Sequence, residues 1–306
     1  MRVLITGATS FLGQKLLETF LNKGYHCYAI VRPESISKIE RYANHQRLHI
    51  VKSDIAAIDN WKKEVKECDL FYHLAWSGEG AVGRADPVIQ EKNVKITLEC
   101  MLVAAELKCK RFIFAGSQAE YGPTNDIIDE KYPCQPVIEY GKGKLKVYEL
   151  CTELSKKINI EYVHCRIFSV YGEGDHTWTL VSQCVQSFLA NKIIDLSSCE
   201  QLWNFLYVDD AVYMMYMLGL CELSDDTRYN IASDDTRPLK EFVHEIWTLC
   251  ENKGKANFGG RTGEIEKAYG INPSAKKIFN TINWTPKTTF KEGILTLVNS
   301  ERKKGI

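Results

Sequence analysis

The sequence predicts an α/β fold, a doubly wound parallel sheet with a smaller α/β lobe toward the C-terminus. Short apolar runs alternate with helical repeats along the first 168 residues, the rhythm typical of strand–helix–strand units. The first run, residues 3–5, passes through a glycine turn directly into a helical pattern. With 306 residues, 45% of them apolar and 25% charged, the chain is long enough for a sizeable core and two lobes.

The first turn carries a phosphate-binding pattern. Gly7, Ser10 and Gly13 are spaced Gly-x-x-Ser-x-x-Gly between the first strand and the first helix. In such a turn the first glycine permits a sharp bend, and the small middle residue lets a pyrophosphate approach main-chain N–H groups. The last glycine lets the helix and strand pack closely. The residues of this turn expected to contact a dinucleotide are Gly7, Thr9, Ser10, Phe11, Leu12 and Gly13.

The second strand, residues 27–31, ends at Arg32. NAD-binding folds place an acidic side chain near this point, about 20 residues after the glycine turn. Here Val31 stands there instead, and Arg32 can pair with a 2′-phosphate and stack on adenine. The sequence therefore favours NADP over NAD. The alternative is that Arg32 is a solvated loop residue and Glu34 binds the ribose, which keeps NAD open.

Four more strands are predicted, over residues 48–51, 70–74, 111–115 and 159–166, with a long helix over 87–107. Ligands of a doubly wound sheet lie at the carboxyl ends of its strands. A carboxylate at the exit of the third strand can meet the adenine amino group, and the small, apolar exit of the fourth can lie along the cofactor. The cofactor contacts expected from these segments are Asp54, Ile55, Leu74, Ala75, Trp76, Asn93 and Ile167.

Three residues form the candidate catalytic group. Ser117 follows the fifth strand, and Tyr140 and Lys144 lie at i and i+4 near the start of a helix, on one face. A lysine ammonium beside a phenol stabilises the phenolate and lowers the tyrosine pKa, and it can also bind the nicotinamide ribose. We expect Ser117 to hold a substrate oxygen, Tyr140 to move its proton and Lys144 to tune Tyr140.

The glycine turn, Ser117 and the Tyr140/Lys144 pair together resemble the extended short-chain dehydrogenase/reductase family, the NAD-dependent epimerase/dehydratase group that modifies nucleotide sugars. The resemblance covers nearly the whole chain, with further matching segments at residues 166–172, 205–210, 229–232, 261–264 and 282–286. Residues 205–210 are similar to the family's return to the sheet. The family segment like residues 261–264 carries an arginine that meets the substrate diphosphate.

The resemblance implies a Rossmann domain over residues 1–168 plus about 205–232, for which Arg32 predicts NADP as the cofactor, and a nucleotide-sugar lobe over 169–204 and 233–306. It also implies a homodimer formed through the helices near residues 93–107 and 144–156. The substrate contacts expected are Ser77, Ser117, Gln118, Ser169 and Arg261.

The residues after Ser117 separate the possible reactions. Dehydratases of the family have an acidic pair directly after this position, where Gln118 and Ala119 stand here, with Glu120 one residue later. This argues against a dehydratase. Arg32 favours NADPH-dependent reduction of a nucleotide-linked 4-keto-(6-deoxy)hexose, with Tyr140 as general acid, over an NAD-dependent nucleotide-sugar 4-epimerase. A non-catalytic dinucleotide sensor is disfavoured, because the catalytic group is complete.

Composition limits the partners and the compartment. Basic and acidic residues balance at 39 each, so neither nucleic acid nor a membrane is expected as a partner. The 11 cysteines form no CxxC pair, and without a signal peptide they predict a cytoplasmic protein with no disulfides and no metal site. Trp178 can either stack on a nucleotide base or sugar or pack in the core, and packing is favoured; His73 and His176 are predicted to be structural.

Overall fold

The computed structural model describes residues 1–78, 80–261 and 270–304. Seven parallel strands form its main sheet. They are β1 (Arg2–Thr6), β2 (His26–Val31), β3 (Leu48–Lys52), β4 (Leu70–His73), β5 (Arg111–Ser117), β6 (Glu161–Ile167) and β10 (Arg228–Ile231). They lie in the order β10-β6-β5-β4-β1-β2-β3. The chain winds outward from β1 in one direction, returns, and winds outward from β4 in the other. A crevice therefore opens at the carboxyl ends of β1 and β4, the switch point of the topology.

Helices cover both faces of this sheet. The α-helices are α1 (Phe11–Asn22), α2 (Ile58–Trp61), α3 (Ala81–Ala85), α4 (Pro87–Glu106), α5 (Glu139–Ile158), α6 (Leu180–Leu189), α7 (Val208–Leu220), α8 (Leu239–Leu249), α9 (Lys276–Ile282) and α10 (Phe290–Lys303). Three 3₁₀ segments span Pro33–Tyr42, Lys62–Glu64 and Gln118–Glu120. Helix α1 packs against α7, and α4 packs against α5.

Alternation along β1 shows how the two layers form. Val3 and Ile5 belong to the core shared with α1 and α7, whereas Leu4 belongs to the core shared with α4 and α5. Successive side chains of a strand point to opposite faces, so a continuous apolar run is buried on both sides. The predicted doubly wound α/β fold is confirmed.

The smaller sheets lie outside this arrangement. Strands β7 (Ser169–Tyr171), β9 (Leu202–Tyr207) and β11 (Thr236–Pro238) form one, and β8 (Ile193–Leu196) and β12 (Lys255–Phe258) form the other. The predicted return of residues 205–210 to the main sheet is wrong, because β9 pairs with β7 and β11. The buried Asn204 amide fixes that pairing, donating to the main-chain oxygens of Ser233 and Asp235. Strand β10 instead joins the main sheet, beside β6.

Candidate active site

The glycine turn fits closely against the end of β4. Gly7 has φ +72°, and a Cβ there would lie 2.7 Å from the main-chain carbon of Leu74. A Cβ on Gly13 would lie 2.0 Å from the Gly7 carbonyl oxygen. Ser10 is the N-cap of α1, and its hydroxyl oxygen accepts from the Gly13 N–H at 3.1 Å. The first turn of α1 is thus brought to the crevice, where its N–H groups and the helix dipole favour an anion.

A cleft of about 620 Å³ follows the carboxyl ends of β1 to β4. We call it the switch-point cleft. The predicted cofactor residues that line it are Gly7, Thr9, Ser10, Phe11, Arg32, Asp54, Ile55, Leu74, Ala75, Trp76 and Asn93. The cleft is lined both by the phosphate-binding turn and by a cationic group, which fits a dinucleotide.

The cationic end of the cleft contains more than the sequence predicted. Arg32, Ser35 and Lys38 all line it. Residues 33–42 form a 3₁₀ segment, in which side chains three residues apart share a face. The Arg32 Nε lies 3.4 Å from Glu34 Oε1, with both side chains largely exposed. Knowing the helix type in advance would have identified Ser35 and Lys38.

Asn93 acts through a main-chain segment of the cleft. Its buried amide accepts from the Ser77 N–H at 3.0 Å and donates to the Ser77 carbonyl oxygen at 2.8 Å. Ser77, predicted to contact substrate, lines the switch-point cleft beside Asn93. The pair fixes the main chain where β4 gives way to the loop.

A second cavity, of about 340 Å³, adjoins the cleft at Phe11, Leu74 and His176. We call it the Ser117 cavity. The predicted site residues that line it are Ser10, Phe11, Leu12, Leu74, Ser117, Gln118, Tyr140, Lys144 and Ile167. The structure thus brings Ser117, Tyr140 and Lys144 together, although the first two are 23 positions apart along the chain.

Lys144 is held firmly in place. It is 3% exposed, and its ammonium donates to the Ala115 carbonyl oxygen at 2.7 Å. The ammonium also lies 3.8 Å from the centre of the Trp76 ring and 5.6 Å from that of Tyr140. A buried cation is thereby positioned beside the phenol, as the spacing predicted.

Arg84 is a cation in this cavity that sequence reasoning missed. Its guanidinium carbon lies 4.1 Å from the centre of the Tyr140 ring, and it lines the Ser117 cavity. Gln90 fixes the segment, donating to the Gly83 oxygen at 2.7 Å and accepting from the Trp76 indole at 2.8 Å. Nothing in the sequence marked α3, a five-residue helix, as part of the site.

The Glu120 carboxylate is hydrogen-bonded to the main chain of Ser117. The Glu120 side chain is fully buried and accepts from the Ser117 N–H at 2.7 Å, from Arg166 Nε at 2.8 Å and from His164. Burial alone would raise the pKa of Glu120, but His164, Arg166 and the Ser117 N–H together lower it to about 2. Glu120 is therefore a charged anchor for the turn, away from the Ser117 cavity.

Other predicted residues lie elsewhere. Among the described residues, Ser169 and Arg261 line neither the cleft nor the cavity. Arg261 is exposed, and residues 262–264 of its segment fall outside the described residues. The prediction that Trp178 packs in the core is wrong, because its side chain is 62% exposed and lines the Ser117 cavity. His73 is buried between Thr6 and Thr97, as predicted.

The described segments hold neither a metal-binding cluster nor a membrane-spanning helix. They contain no group of three or more potential metal-binding side chains. No helix within residues 1–78, 80–261 and 270–304 has the length and apolar character needed to cross a bilayer. All 11 cysteines have free thiols.

The fold and site are those of an oxidoreductase-type enzyme that works with a nicotinamide dinucleotide. A family model described as the NAD dependent epimerase/dehydratase family matches residues 3–232. The chain belongs to this family, whose members are nucleotide-sugar epimerases, dehydratases and reductases. The resemblance carried by the motifs is thereby confirmed.

Individual relatives have low sequence identity to this chain but align with nearly all of it. A dTDP-4-dehydro-6-deoxyglucose reductase of Escherichia coli is 26% identical, over 99% of this chain and 98% of its own. Bacillus subtilis YtcB, named an uncharacterised UDP-glucose epimerase, is 23% identical over 96% of both.

Solved structures share the fold. UDP-glucuronic acid 4-epimerase from Bacillus cereus, in complex with NAD, has a TM-score of 0.86 at 21% identity, covering 100% of this chain and 98% of its own. UDP-glucose 4-epimerase from Thermotoga maritima, with UDP-glucose, has the same TM-score at 18% identity and 99% coverage of both chains.

Proposed function

We propose that this enzyme uses NADPH to reduce a nucleotide-linked 4-keto-(6-deoxy)hexose to its 4-hydroxy product. The observation that carries the proposal is the face formed by Arg32, Ser35 and Lys38 at the adenosine end of the switch-point cleft. Two cations and a hydroxyl suit the 2′-phosphate that distinguishes NADPH from NADH. The E. coli relative named a 4-dehydro-6-deoxyglucose reductase supports the substrate class.

The reaction consumes one proton: ketone, NADPH and H⁺ give alcohol and NADP⁺. NADPH supplies the hydride when bound. Tyr140 donates the proton to the carbonyl oxygen, which becomes the new hydroxyl. Lys144 stabilises the phenolate left on Tyr140, because its buried ammonium is held 5.6 Å from the centre of the Tyr140 ring.

Ser117 orients the carbonyl. Its hydroxyl oxygen accepts from the Ala119 N–H at 3.2 Å, so the hydroxyl proton remains available to the substrate oxygen. Gln118 lies beside it in the cavity. Its side-chain oxygen is buried and makes no hydrogen bond to any described residue, which suits acceptance from a sugar hydroxyl.

Tyr140→Phe tests the proposal. Loss of the phenolic proton should lower kcat by about 10²- to 10⁴-fold, measured by NADPH consumption with a dTDP-4-keto-6-deoxyhexose. The matched control is Tyr148→Phe, on the same helix but with its ring against His164 and outside the Ser117 cavity. A Tyr140→Phe enzyme with the wild-type rate would remove Tyr140 from the mechanism, whereas a wild type that consumes no NADPH with this substrate would favour a non-catalytic dinucleotide sensor.

An NAD-dependent nucleotide-sugar 4-epimerase is the second candidate. The solved structures that share the fold include 4-epimerases, one of them in complex with NAD. The same catalytic group would serve both reactions, but an epimerase returns the hydride to the sugar and shows no net oxidation. The two candidates therefore differ in which dinucleotide the protein holds and how tightly.

We also propose a cytoplasmic homodimer. The 11 free thiols suit a reducing compartment. Helices α4 and α5 pack side by side, and each leaves one side toward solvent, where Leu102 of α4 is 43% exposed. A second copy would cover this surface, as the family resemblance implies.

A further inference from the structure

Trp178 occupies an unusual position for a tryptophan. Its side chain is 62% exposed, whereas the other five tryptophans of the chain are buried or half-buried. Folding gains most from an aromatic ring when the ring is buried. The exposed ring lines the Ser117 cavity together with the candidate catalytic group, so its position is explained better by a ligand than by core packing.

The indole is backed by a second ring. His176 and Trp178 stack with their centres 4.0 Å apart and their planes 12° from parallel. His176 lines both the Ser117 cavity and the switch-point cleft. The pair therefore stands where the two cavities join, with one face of the indole already covered.

The segment that carries the rings is fixed at both ends. One Asp175 carboxylate oxygen accepts from the His176 N–H at 2.7 Å, and the other accepts from the Thr179 hydroxyl at 2.9 Å. Thr179 is also the N-cap of α6. Asp175 thus holds the segment at His176 and at Thr179, which limits the entropy lost when a ligand binds.

The flat, apolar surface suits one part of a nucleotide sugar. A pyranose ring presents a face of C–H groups that packs on an aromatic plane, and a nucleobase presents a π face. Trp178 shares its cavity with Ser117 and Tyr140, where the reacting carbon must lie. We propose that Trp178, backed by His176, is the wall on which the sugar ring stacks. This inference rests on the proposed function of the site.

Binding calorimetry on the full chain, saturated with NADP⁺, tests the inference. The probes are UDP-glucose against UDP and dTDP-glucose against dTDP, in wild type, Trp178→Ala and Trp178→Phe. Trp178→Ala should weaken the sugar nucleotide about tenfold, the size of one aromatic stack, and leave the diphosphate within about twofold. Trp178→Phe keeps a ring and should lose less than about threefold. His176→Ala should lie between them.

Fluorescence gives a second measurement. Binding of the sugar nucleotide should change the tryptophan emission of wild type, and Trp178→Phe should remove most of that change. The matched control is Trp247→Phe, because Trp247 lies outside the Ser117 cavity with its indole donating to the Gly254 oxygen. That variant should keep the change.

The possible outcomes test the inference and the proposed function separately. If Trp178→Ala loses the same affinity for the sugar nucleotide and for the diphosphate, Trp178 stacks on the nucleobase and the inference is overturned. Wild-type affinity in Trp178→Ala overturns it too, with the proposed function untouched. If wild type binds none of the four probes and none of their GDP and CDP counterparts, the proposed function fails and the inference fails with it.

Discussion

At the scale of single residues, the assignment of cofactor depends on Arg32. Its position directly after β2 could be predicted, because the length of the first β–α–β unit is nearly fixed. Its partners in the cleft, Ser35 and Lys38, could not, because a 3₁₀ segment follows the strand. The Arg32 side chain is largely exposed although the Glu34 carboxylate lies beside it, so Arg32 is available to a phosphate.

Replacing the two cations tests this end of the cleft. Arg32→Ala with Lys38→Ala should lower the affinity for NADPH at least about 100-fold, because two charge-assisted contacts to a phosphate are lost and each is worth about 1.5–3 kcal/mol. Affinity for NADH should change by less than about threefold, and titration with each dinucleotide measures both. Lys52→Ala is the control, an exposed lysine at the end of β3 outside the cleft. Equal losses for the two dinucleotides would contradict the 2′-phosphate assignment.

At the scale of elements, the sequence predicted β1 to β6, α1, α4 and α5 within a few residues, because their apolar periodicity is strong. It also predicted that Ser117, Tyr140 and Lys144 lie together, since Ser117 follows a strand and Tyr140 and Lys144 share one helix face; their catalytic roles stay a prediction. It missed Arg84, since α3 has only five residues and no periodic pattern. It misplaced Trp178, because an apolar residue in a loop carries no signal of its exposure.

The network behind Ser117 was equally invisible in sequence. Glu120 in the turn after β5 meets His164 and Arg166 on β6, and only the pairing of these elements makes them neighbours. Glu120→Gln should lower the free energy of unfolding by about 3–5 kcal/mol at neutral pH, because it leaves a buried arginine without its carboxylate. Denaturant unfolding measures the loss.

The pH dependence of that loss has a definite sign. A carboxyl group whose pKa is lower in the folded protein contributes stability above its unfolded pKa and loses it as the pH falls. Because the folded pKa of Glu120 is about 2, the difference in free energy of unfolding between wild type and Glu120→Gln should shrink as the pH falls from about 5 to 2.

The matched control is Glu130→Gln. Burial raises the pKa of Glu130, so the difference in free energy of unfolding between wild type and this variant should move in the opposite direction, as the pH falls through the folded pKa of Glu130 toward its unfolded pKa. If the difference in free energy of unfolding between wild type and Glu120→Gln does not vary with pH, the claim that Glu120 is a charged anchor is contradicted.

At the scale of the whole molecule, the proposed dimer predicts a particle of twice the chain mass in analytical ultracentrifugation. Leu102→Glu should reduce the particle to one chain, because it puts a charge on the exposed side of α4. Leu295→Glu is the control, a comparably exposed leucine on α10 at 38%. A dimer that survives Leu102→Glu and not Leu295→Glu would place the interface elsewhere.

The central claim is that the switch-point cleft takes NADPH and the Ser117 cavity takes a keto sugar for reduction. Analysing the dinucleotide that copurifies with the protein, and measuring its affinity for NADPH and NADH, tests this most directly. The account predicts an exchangeable cofactor and a preference for NADPH of at least about tenfold, the size of one charge-assisted contact. Stoichiometric, tightly held NAD would contradict it and make the 4-epimerase the function of this site.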